Sequence, residues 1–316
     1  MPTTKFSKPF ELLPLFQERV WGRYDLTPFF SNPSTNNRIG EVWFTFKDNR
    51  TKTAEQFGNM IQNCPELLGS AYDPAYPDQC PLLLKLLFTT ERLSVQVHPR
   101  DDYARLHHRS LGKTEAWYVV AGEPRAEVAV GFKETLTAQR MAEAARSGEI
   151  ETLLDWRPVK AGDVIFVPAG TVHAIGAGVT ICEVQQNSDI TYRLYDYGRA
   201  RELHLEHGVV VSDLGPHHYR VEPIMIDQGR EELVVCDYFR IERLNISEAA
   251  HFRAGAAYYK LLTCLKGSGT MAGEEFAAGT TWIIPAQSEA FTLHGPGSEW
   301  ILSYTAGLHD AGIALN

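Results

Sequence analysis

Short apolar segments bounded by glycine and proline recur along this chain, and they restrict its fold more than any other feature. One example runs from a turn at Ala161-Gly162-Asp163 through the apolar segment Val164–Val167 to a second turn and His173. A similar order of turn, apolar segment, proline and histidine lies between Gly279 and His294. Closely spaced strands of this kind are typical of β-barrels and β-sandwiches rather than of βαβ units. We therefore predict a mainly all-β fold built from β-barrels or jelly rolls.

The strands fall into two blocks, which indicates two domains. A helical period replaces the β pattern near residues 135–156 and predicts a pair of short helices on the flank of the first block. A second β-rich block begins at about Glu231. A chain of 316 residues is long enough for two modest domains. We predict residues 1–230 as the first domain and residues 231–316 as the second.

Composition excludes several classes of function. The formal net charge of −9 argues against nucleic acid as a partner, because such binding depends on a basic surface. The chain has no apolar run long enough to span a membrane, and its N-terminal residues lack the apolar core of a signal peptide. The five cysteines are scattered and form no C-x-x-C pair, which predicts reduced thiols and a cytoplasmic location. Nothing in the sequence specifies an oligomeric state.

One predicted strand carries polar side chains on a single face. Because side chains alternate along a strand, Ser94, Gln96 and His98 share one side, while the valines between them share the other. A single histidine in such a place is more often a core residue than a metal ligand. Here, however, the same alternation places Lys113 and Glu115 together on one side of the next strand.

His173, after the Pro-Ala-Gly turn, completes a set of nitrogen and oxygen donors. Together with Gln96, His98 and Glu115 it suits a divalent transition metal. Imidazole plus carboxylate without thiolate favours zinc. We predict one divalent ion per chain.

Other polar residues fit either a cavity or a plainer structural role. Lys85 interrupts the apolar strand Leu82–Phe88, so its charge needs a partner, an exposed edge or an anionic ligand. Trp21 suits a sugar pocket or the core, and Glu41 suits a pocket or the edge of a barrel.

The segment Asp189–Tyr197 has an unbroken polar face that includes Asp189 and Arg193. Such a face lines a cavity or meets solvent, and the pattern alone does not distinguish the two.

Four motifs, taken in order, resemble class I mannose-6-phosphate isomerases. They are Leu93–Pro99, Gly112–Tyr118, Val167–Ile175 and Gln185–Arg193. The chain is most similar to the short bacterial form, which lacks a large helical insertion. The resemblance implies two cupin-type β-barrels with a few short flanking helices. Residues 1–230 would then form a catalytic, metal-binding cupin domain, and residues 231–316 a cupin-like domain without metal ligands.

The same resemblance implies roles for individual residues. The zinc ligands of the family match Gln96, His98, Glu115 and His173, and its active-site arginine matches Arg193. Lys113 would face the substrate. Lys85 and Ser94 match positions associated with substrate or phosphate contact, Asp189 matches a pocket position, and Glu41 lies in the family's Gly-Glu-x-Trp segment. After Trp43 this chain has Phe44 and Phe46, where an acid and a serine are common in the family.

The implied activity interconverts mannose 6-phosphate and fructose 6-phosphate through a cis-enediol(ate). The reaction needs a group that stabilises negative charge, for which zinc and Arg193 are suited. It also needs a base, and the sequence leaves two candidates: Lys113, if burial and a nearby cation lower its pKa, or a metal-bound hydroxide. Two alternatives are another metal-dependent cupin enzyme, such as an oxygenase, and a non-catalytic cupin that binds sugar phosphates.

Overall fold

The structure, a computed structural model, describes residues 6–31, 37–219, 221–305 and 312–315. Its strands are β1 (Phe10–Leu13), β2 (Leu15–Arg23), β3 (Ile39–Trp43), β4 (Arg50–Thr51), β5 (Leu82–Phe88), β6 (Val95–Val97), β7 (Glu115–Gly122), β8 (Glu127–Phe132), β9 (Leu154–Pro158), β10 (Val164–Val167), β11 (His173–Ile175), β12 (Val179–Gln186), β13 (Tyr192–Tyr195), β14 (Ile224–Asp227), β15 (Arg230–Val235), β16 (Phe239–Ile246), β17 (Ala249–Phe252), β18 (Lys260–Lys266), β19 (Ser268–Met271), β20 (Glu274–Ala277), β21 (Thr281–Ile284), β22 (Phe291–His294), β23 (Ser298–Thr305) and β24 (Ile313–Leu315). Its α-helices are α1 (Phe57–Asn63), α2 (Asp101–His108), α3 (Ala138–Ser147), α4 (Ile150–Leu153) and α5 (Leu205–Val211). The prediction of a mainly β chain is confirmed. No helix in the described ranges is both long and apolar enough to cross a membrane.

Two antiparallel sheets come mostly from the first part of the chain. Sheet I has the strand order β10-β7-β12-β5-β3-β2, and sheet II has the order β13-β6-β11-β8-β9. They face each other across a buried cluster that contains Trp117 and Ile181 of sheet I and Val128 and Val130 of sheet II. Among the described strands no pairing joins sheet I to sheet II, so backbone hydrogen bonds do not close the pair into a barrel.

A second pair of antiparallel sheets contains the later strands. Sheet III has the order β14-β15-β16-β23-β18-β21-β1-β4, and sheet IV has the order β20-β19-β22-β17-β24. Trp282 and Trp300 of sheet III fill the space between them together with Phe276 and Leu293 of sheet IV. The rings of Phe276 and Trp300 lie 4.6 Å apart, edge to face. Large side chains therefore occupy the interior of this second pair.

The four sheets form a stack because sheet I packs against sheet II on one face and against sheet III on the other. Leu84 and Leu86 of β5 pack against Ile241 and Leu261 of sheet III. Every residue of β5 is buried, as expected for a strand with neighbours on both sides. Lys85, which lies between these two leucines, points the other way, toward sheet II.

Helices cover the outer face of sheet II. Met141 and Ala144 of α3 and Val211 of α5 belong to the apolar cluster on that face. α3 begins after Thr137, whose side-chain oxygen accepts a hydrogen bond from the Arg140 backbone N–H at 3.1 Å. Helices α3 and α4 both fall within residues 135–156, so the predicted helical pair is confirmed.

The first strand of the chain belongs to a sheet formed mainly by the last third. β1 pairs with β21, with Phe10 opposite Ile283 and Leu12 opposite Thr281, and on its other side it pairs with β4. Side-chain alternation places Leu12 inside the core between sheets I and III, where it is fully buried, while Leu13 is 38% exposed. The N-terminal segment therefore ties the two pairs of sheets together.

The substitution Leu12→Ala should lower the free energy of unfolding by about 2–5 kcal/mol, because it removes buried methyl groups and leaves a cavity between two sheets. The matched control Leu13→Ala, one position along the same strand, should cost less than about 1 kcal/mol. Urea denaturation of the three proteins measures both effects. Equal losses for the two variants would contradict this placement of β1.

Candidate active site

A cavity of about 430 Å³ lies between sheets I and II. The residues that line it include all of the substrate and catalytic residues predicted from the sequence, together with Gln96. These are Trp21, Glu41, Lys85, Ser94, Gln96, Lys113, Asp189 and Arg193. The structure thus brings together side chains from five strands and from the loops that adjoin them.

The other three predicted metal ligands form a buried cluster. His98, Glu115 and His173 each offer a ligand atom, and these atoms lie within 4.8 Å of one another. The two carboxylate oxygens of Glu115 lie 3.5 Å from His98 Nε2 and 3.4 Å from His173 Nε2. One carboxylate is therefore held between two imidazoles, and all three residues are at most 1% exposed.

Backbone carbonyls orient both imidazoles. His98 Nδ1 lies 2.8 Å from the carbonyl oxygen of Ile190, and His173 Nδ1 lies 2.9 Å from that of Thr171. A ring nitrogen that donates to a carbonyl leaves the other nitrogen of the neutral ring as an acceptor or ligand. Both Nε2 atoms consequently present a lone pair toward Glu115.

Burial keeps both histidines neutral. It lowers the pKa of His173 to about 4 and holds the pKa of His98 well below its ordinary value, and the charge of Lys113 acts in the same direction on both. Neutral imidazole is the form that binds metals.

The cluster fits a divalent metal ion. His173 Nε2 is buried and has no hydrogen-bond partner among the described residues, which is costly unless a ligand takes up its lone pair. Two imidazoles and a carboxylate are also donors that zinc and similar ions prefer.

A cross-strand row of sheet II brings Gln96 to this cluster. Gln96 of β6 stands opposite His173 of β11 on one side and opposite Arg193 of β13 on the other. Ser94 lies two residues before Gln96, and its hydroxyl donates to Gln96 Oε1 at 3.5 Å. The order Arg193–Gln96–His173 leads from the open cavity to the buried cluster.

A second row crosses sheet I and contains a residue that we did not predict. The register places Trp43, Lys85, Glu183 and Trp117 side by side on β3, β5, β12 and β7. Lys85 Nζ lies 4.7 Å from the centre of the Trp43 ring and 3.5 Å from Glu183 Oε1. Trp117 Nε1 donates to Glu183 Oε2 at 3.1 Å.

Glu183 is a buried carboxylate that lines the cavity, and burial together with the negative charge of Glu115 raises its pKa. A signal for it was present in the sequence, since an acid in the middle of an apolar strand needs a partner. The same holds for Lys85, whose partners are Glu183 and, at 3.9 Å, Glu41. Of the roles open to Lys85, the structure supports a paired charge that faces the cavity.

Lys113 joins the cavity to the cluster, and neighbouring carboxylates raise its pKa. Its Nζ lies 2.9 Å from Glu115 Oε2 and donates to His98 Nε2 at 3.1 Å. Burial disfavours the charged amine, yet the carboxylates of Glu115, Glu183 and Asp189 outweigh burial and raise the pKa of Lys113. The amine is therefore protonated in this arrangement of charges.

Comparisons with known proteins give a consistent assignment. Residues 10–137 match the family model for the catalytic domain of type I phosphomannose isomerase, and residues 230–305 match the model for the cupin domain of mannose-6-phosphate isomerase. The mannose-6-phosphate isomerase ManA of Bacillus subtilis is 34% identical over 312 residues, with 92% of this chain and 96% of the relative covered. The enzyme of Streptococcus mutans is 32% identical over 309 residues, with 92% and 96% covered.

A solved structure agrees with these relatives. The crystal structure of the mannose 6-phosphate isomerase from Bacillus subtilis superimposes with a TM-score of 0.85 at 29% identity, with 94% of this chain and 99% of that chain covered. The resemblance inferred from four sequence motifs is therefore confirmed over nearly the whole length. This chain belongs to the family of type I mannose-6-phosphate isomerases, which are aldose-ketose isomerases of the cupin superfamily.

Proposed function

We propose that this protein interconverts mannose 6-phosphate and fructose 6-phosphate. The observation that carries the proposal is the buried cluster of His98, Glu115 and His173 beside a cavity with basic walls, in a chain of this family. The reaction moves a proton between C1 and C2 of the sugar by way of a cis-enediol(ate). Its main barrier is the removal of a carbon-bound proton next to a carbonyl group.

Gln96, His98, Glu115 and His173 would hold one divalent ion, for which zinc is the best match to this donor set. When bound, the ion supplies Lewis-acid stabilisation of negative charge that develops on nearby oxygens. The hydrogen bonds from the two Nδ1 atoms to backbone carbonyls keep the imidazoles in the orientation that the ion requires.

The side chains around the cavity have the remaining roles in the reaction. The guanidinium of Arg193 stabilises the negative charge of the enediolate. Lys113 holds or moves a proton at Nζ, because that atom reaches both the cluster and the cavity. Glu115 is the strongest of the charges that raise the pKa of Lys113, so coordination of Glu115 to a cation would lower this pKa again.

Substrate recognition falls to polar groups on the cavity walls. We assign the sugar hydroxyls to Lys85, Ser94, Glu41 and Asp189, and a face of the sugar ring to the indole of Trp21, all of which line the cavity.

We also propose that the chain divides near residue 230 into two cupin-type units. The first binds the metal, while the second is structural, since its interior is filled by large side chains and His294 is exposed at its surface. Five free cysteines support a cytoplasmic location.

Removal of the metal should abolish the isomerase activity, and added zinc should restore it. Elemental analysis should find one zinc per chain in the wild-type protein and in His294→Ala, which removes an exposed imidazole. His173→Ala should lose most of the metal and at least about 100-fold in activity, because it removes a ligand. A coupled assay with mannose 6-phosphate measures the activity. A chelator-treated protein that keeps full activity would contradict the proposal.

The metal-free protein should lose stability as the pH falls from about 6.5 toward 4. In the unfolded chain His173 takes up a proton near its ordinary pKa, but in the folded chain only near pH 4. The unfolded state therefore binds more protons in this range and gains stability relative to the folded state. The substitution His173→Asn should reduce this pH-dependent loss in the free energy of unfolding by roughly 3 kcal/mol.

Urea denaturation at a series of pH values measures this effect. The control His294→Asn should keep the wild-type pH dependence. Parallel curves for the wild type and His173→Asn would show that the buried imidazole does not contribute.

Lys113→Gln should lower kcat by about 10²–10⁴-fold, since it removes a group that transfers protons. The exposed Lys133 provides a control, and Lys133→Gln should leave kcat unchanged. Steady-state kinetics of folded, metal-loaded proteins measure both. A Lys113→Gln variant with more than about a tenth of the wild-type kcat would remove Lys113 from the proton transfer.

A further inference from the structure

Most of the positive charges on the cavity wall already have a carboxylate partner. Arg19 Nε lies 2.9 Å from Glu41 Oε1. Lys85 lies between Glu41 and Glu183, and Lys113 contacts a carboxylate of the metal cluster at 2.9 Å. A dianionic group that entered the cavity would have to compete with these partners for each of the three cations.

The wall beside β13 is different, because arginines outnumber carboxylates there. Arg193 and Arg201 both line the cavity. The side-chain contact of Arg193 is a neutral one, from Nη1 to the backbone carbonyl of Glu202 at 2.8 Å, and its Nε is buried without a partner among the described residues. Arg201 pairs with Asp196, which it shares with Arg199.

Backbone contacts fix this excess of positive charge in place. The chain after β13 folds back on the strand, with the backbone N–H of His204 donating to the carbonyl of Arg193 at 2.7 Å. Arg201 thereby comes close to Arg193. Burial, followed by the charge of Arg201, lowers the pKa of Arg193, as expected for two neighbouring cations with too few anions between them.

Asp196 holds the guanidinium of Arg201 in one orientation. Arg201 Nε donates to Asp196 Oδ2 and Arg201 Nη2 donates to Asp196 Oδ1, both at 2.7 Å. Asp196 is 2% exposed, whereas the side chain of Arg201 is 32% exposed. Within the described part of the chain Arg201 Nη1 has no acceptor, so its two N–H groups are available to a ligand.

We propose that Arg201, beside Arg193, binds the phosphate group of the substrate. The inference rests on the proposed function and extends it, since neither the motifs nor the resemblance pointed to Arg201. A fixed guanidinium donates in a planar geometry that matches phosphate oxygens, and such charge-assisted hydrogen bonds are stronger than neutral ones. Lys85, which is buried and already paired with two carboxylates, contacts the sugar instead.

Binding of mannitol 6-phosphate and mannitol by calorimetry provides a test that does not depend on turnover. Neither compound has a carbonyl group, so neither can be isomerised, and they differ only in the phosphate. Wild-type protein should prefer the phosphorylated compound. Arg201→Gln should weaken its binding by about 10- to 100-fold without changing the binding of mannitol, and Arg201→Lys should lie between.

Arg199→Gln is the matched control, because Arg199 shares Asp196 but does not line the cavity. It should change the affinity for mannitol 6-phosphate by less than about threefold, and in each variant Asp196 keeps one arginine. In kinetic assays Arg201→Gln should raise the KM for mannose 6-phosphate more than it lowers kcat.

Unchanged affinity in Arg201→Gln would overturn the proposal, and so would equal losses in Arg201→Gln and Arg199→Gln, since these would reflect the shared support of Asp196. If wild-type protein preferred mannitol 6-phosphate through Arg201 but did not turn over mannose 6-phosphate, the proposed activity would fail while the phosphate site stood.

Discussion

Lys85, Lys113 and Glu183 are buried where they line the space between sheets I and II, so their charges have to be compensated by neighbouring groups. The contact of Lys85 with Glu183 is central to this balance. Removal of one partner of such a buried pair typically costs about 3–5 kcal/mol, because the other charge is left uncompensated. Trp43 and Trp117 enclose the pair along the same cross-strand row. The row spans four adjacent strands, so the register of sheet I and the compensation of these charges depend on each other.

On the opposite wall of the cavity, the strand register of sheet II brings together residues that bind ligands. Sheet II sets Arg193, Gln96 and His173 next to one another, so that a cation, an amide and an imidazole follow one line into the protein. Side chains on paired strands are held more firmly than side chains on loops, which favours a site that binds its ligands without rearrangement. His98 and Lys113 lie at the ends of strands, where backbone pairing no longer holds them. There the contact of His98 with Ile190 and that of Lys113 with Glu115 fix the two side chains.

Local sequence patterns predicted many of the site residues, because the alternation of side chains along a strand depends only on neighbouring residues. It placed Ser94 and Gln96 on one face, and it identified Lys85 as an anomaly. Glu183 was missed although its strand was recognised, since the significance of a buried acid becomes clear only when Lys85 is found opposite it. The raised pKa of Lys113 depends on three carboxylates that are distant in sequence. No sequence signal pointed to the proposed role of Arg201 either, because that role depends on a single aspartate shared between two arginines.

The membership of β1 in sheet III also lay beyond local reasoning, and it affects how the chain reaches its folded state. Phe10 and its partner Ile283 are separated by about 270 residues of sequence. During synthesis β1 has only the short β4 as a paired strand until β21 has emerged. Closure of a loop of this length is slow, so the eight-stranded sheet is completed late in folding. The pairing of β1 with β21 therefore joins the two pairs of sheets only after the long intervening segment has been synthesised.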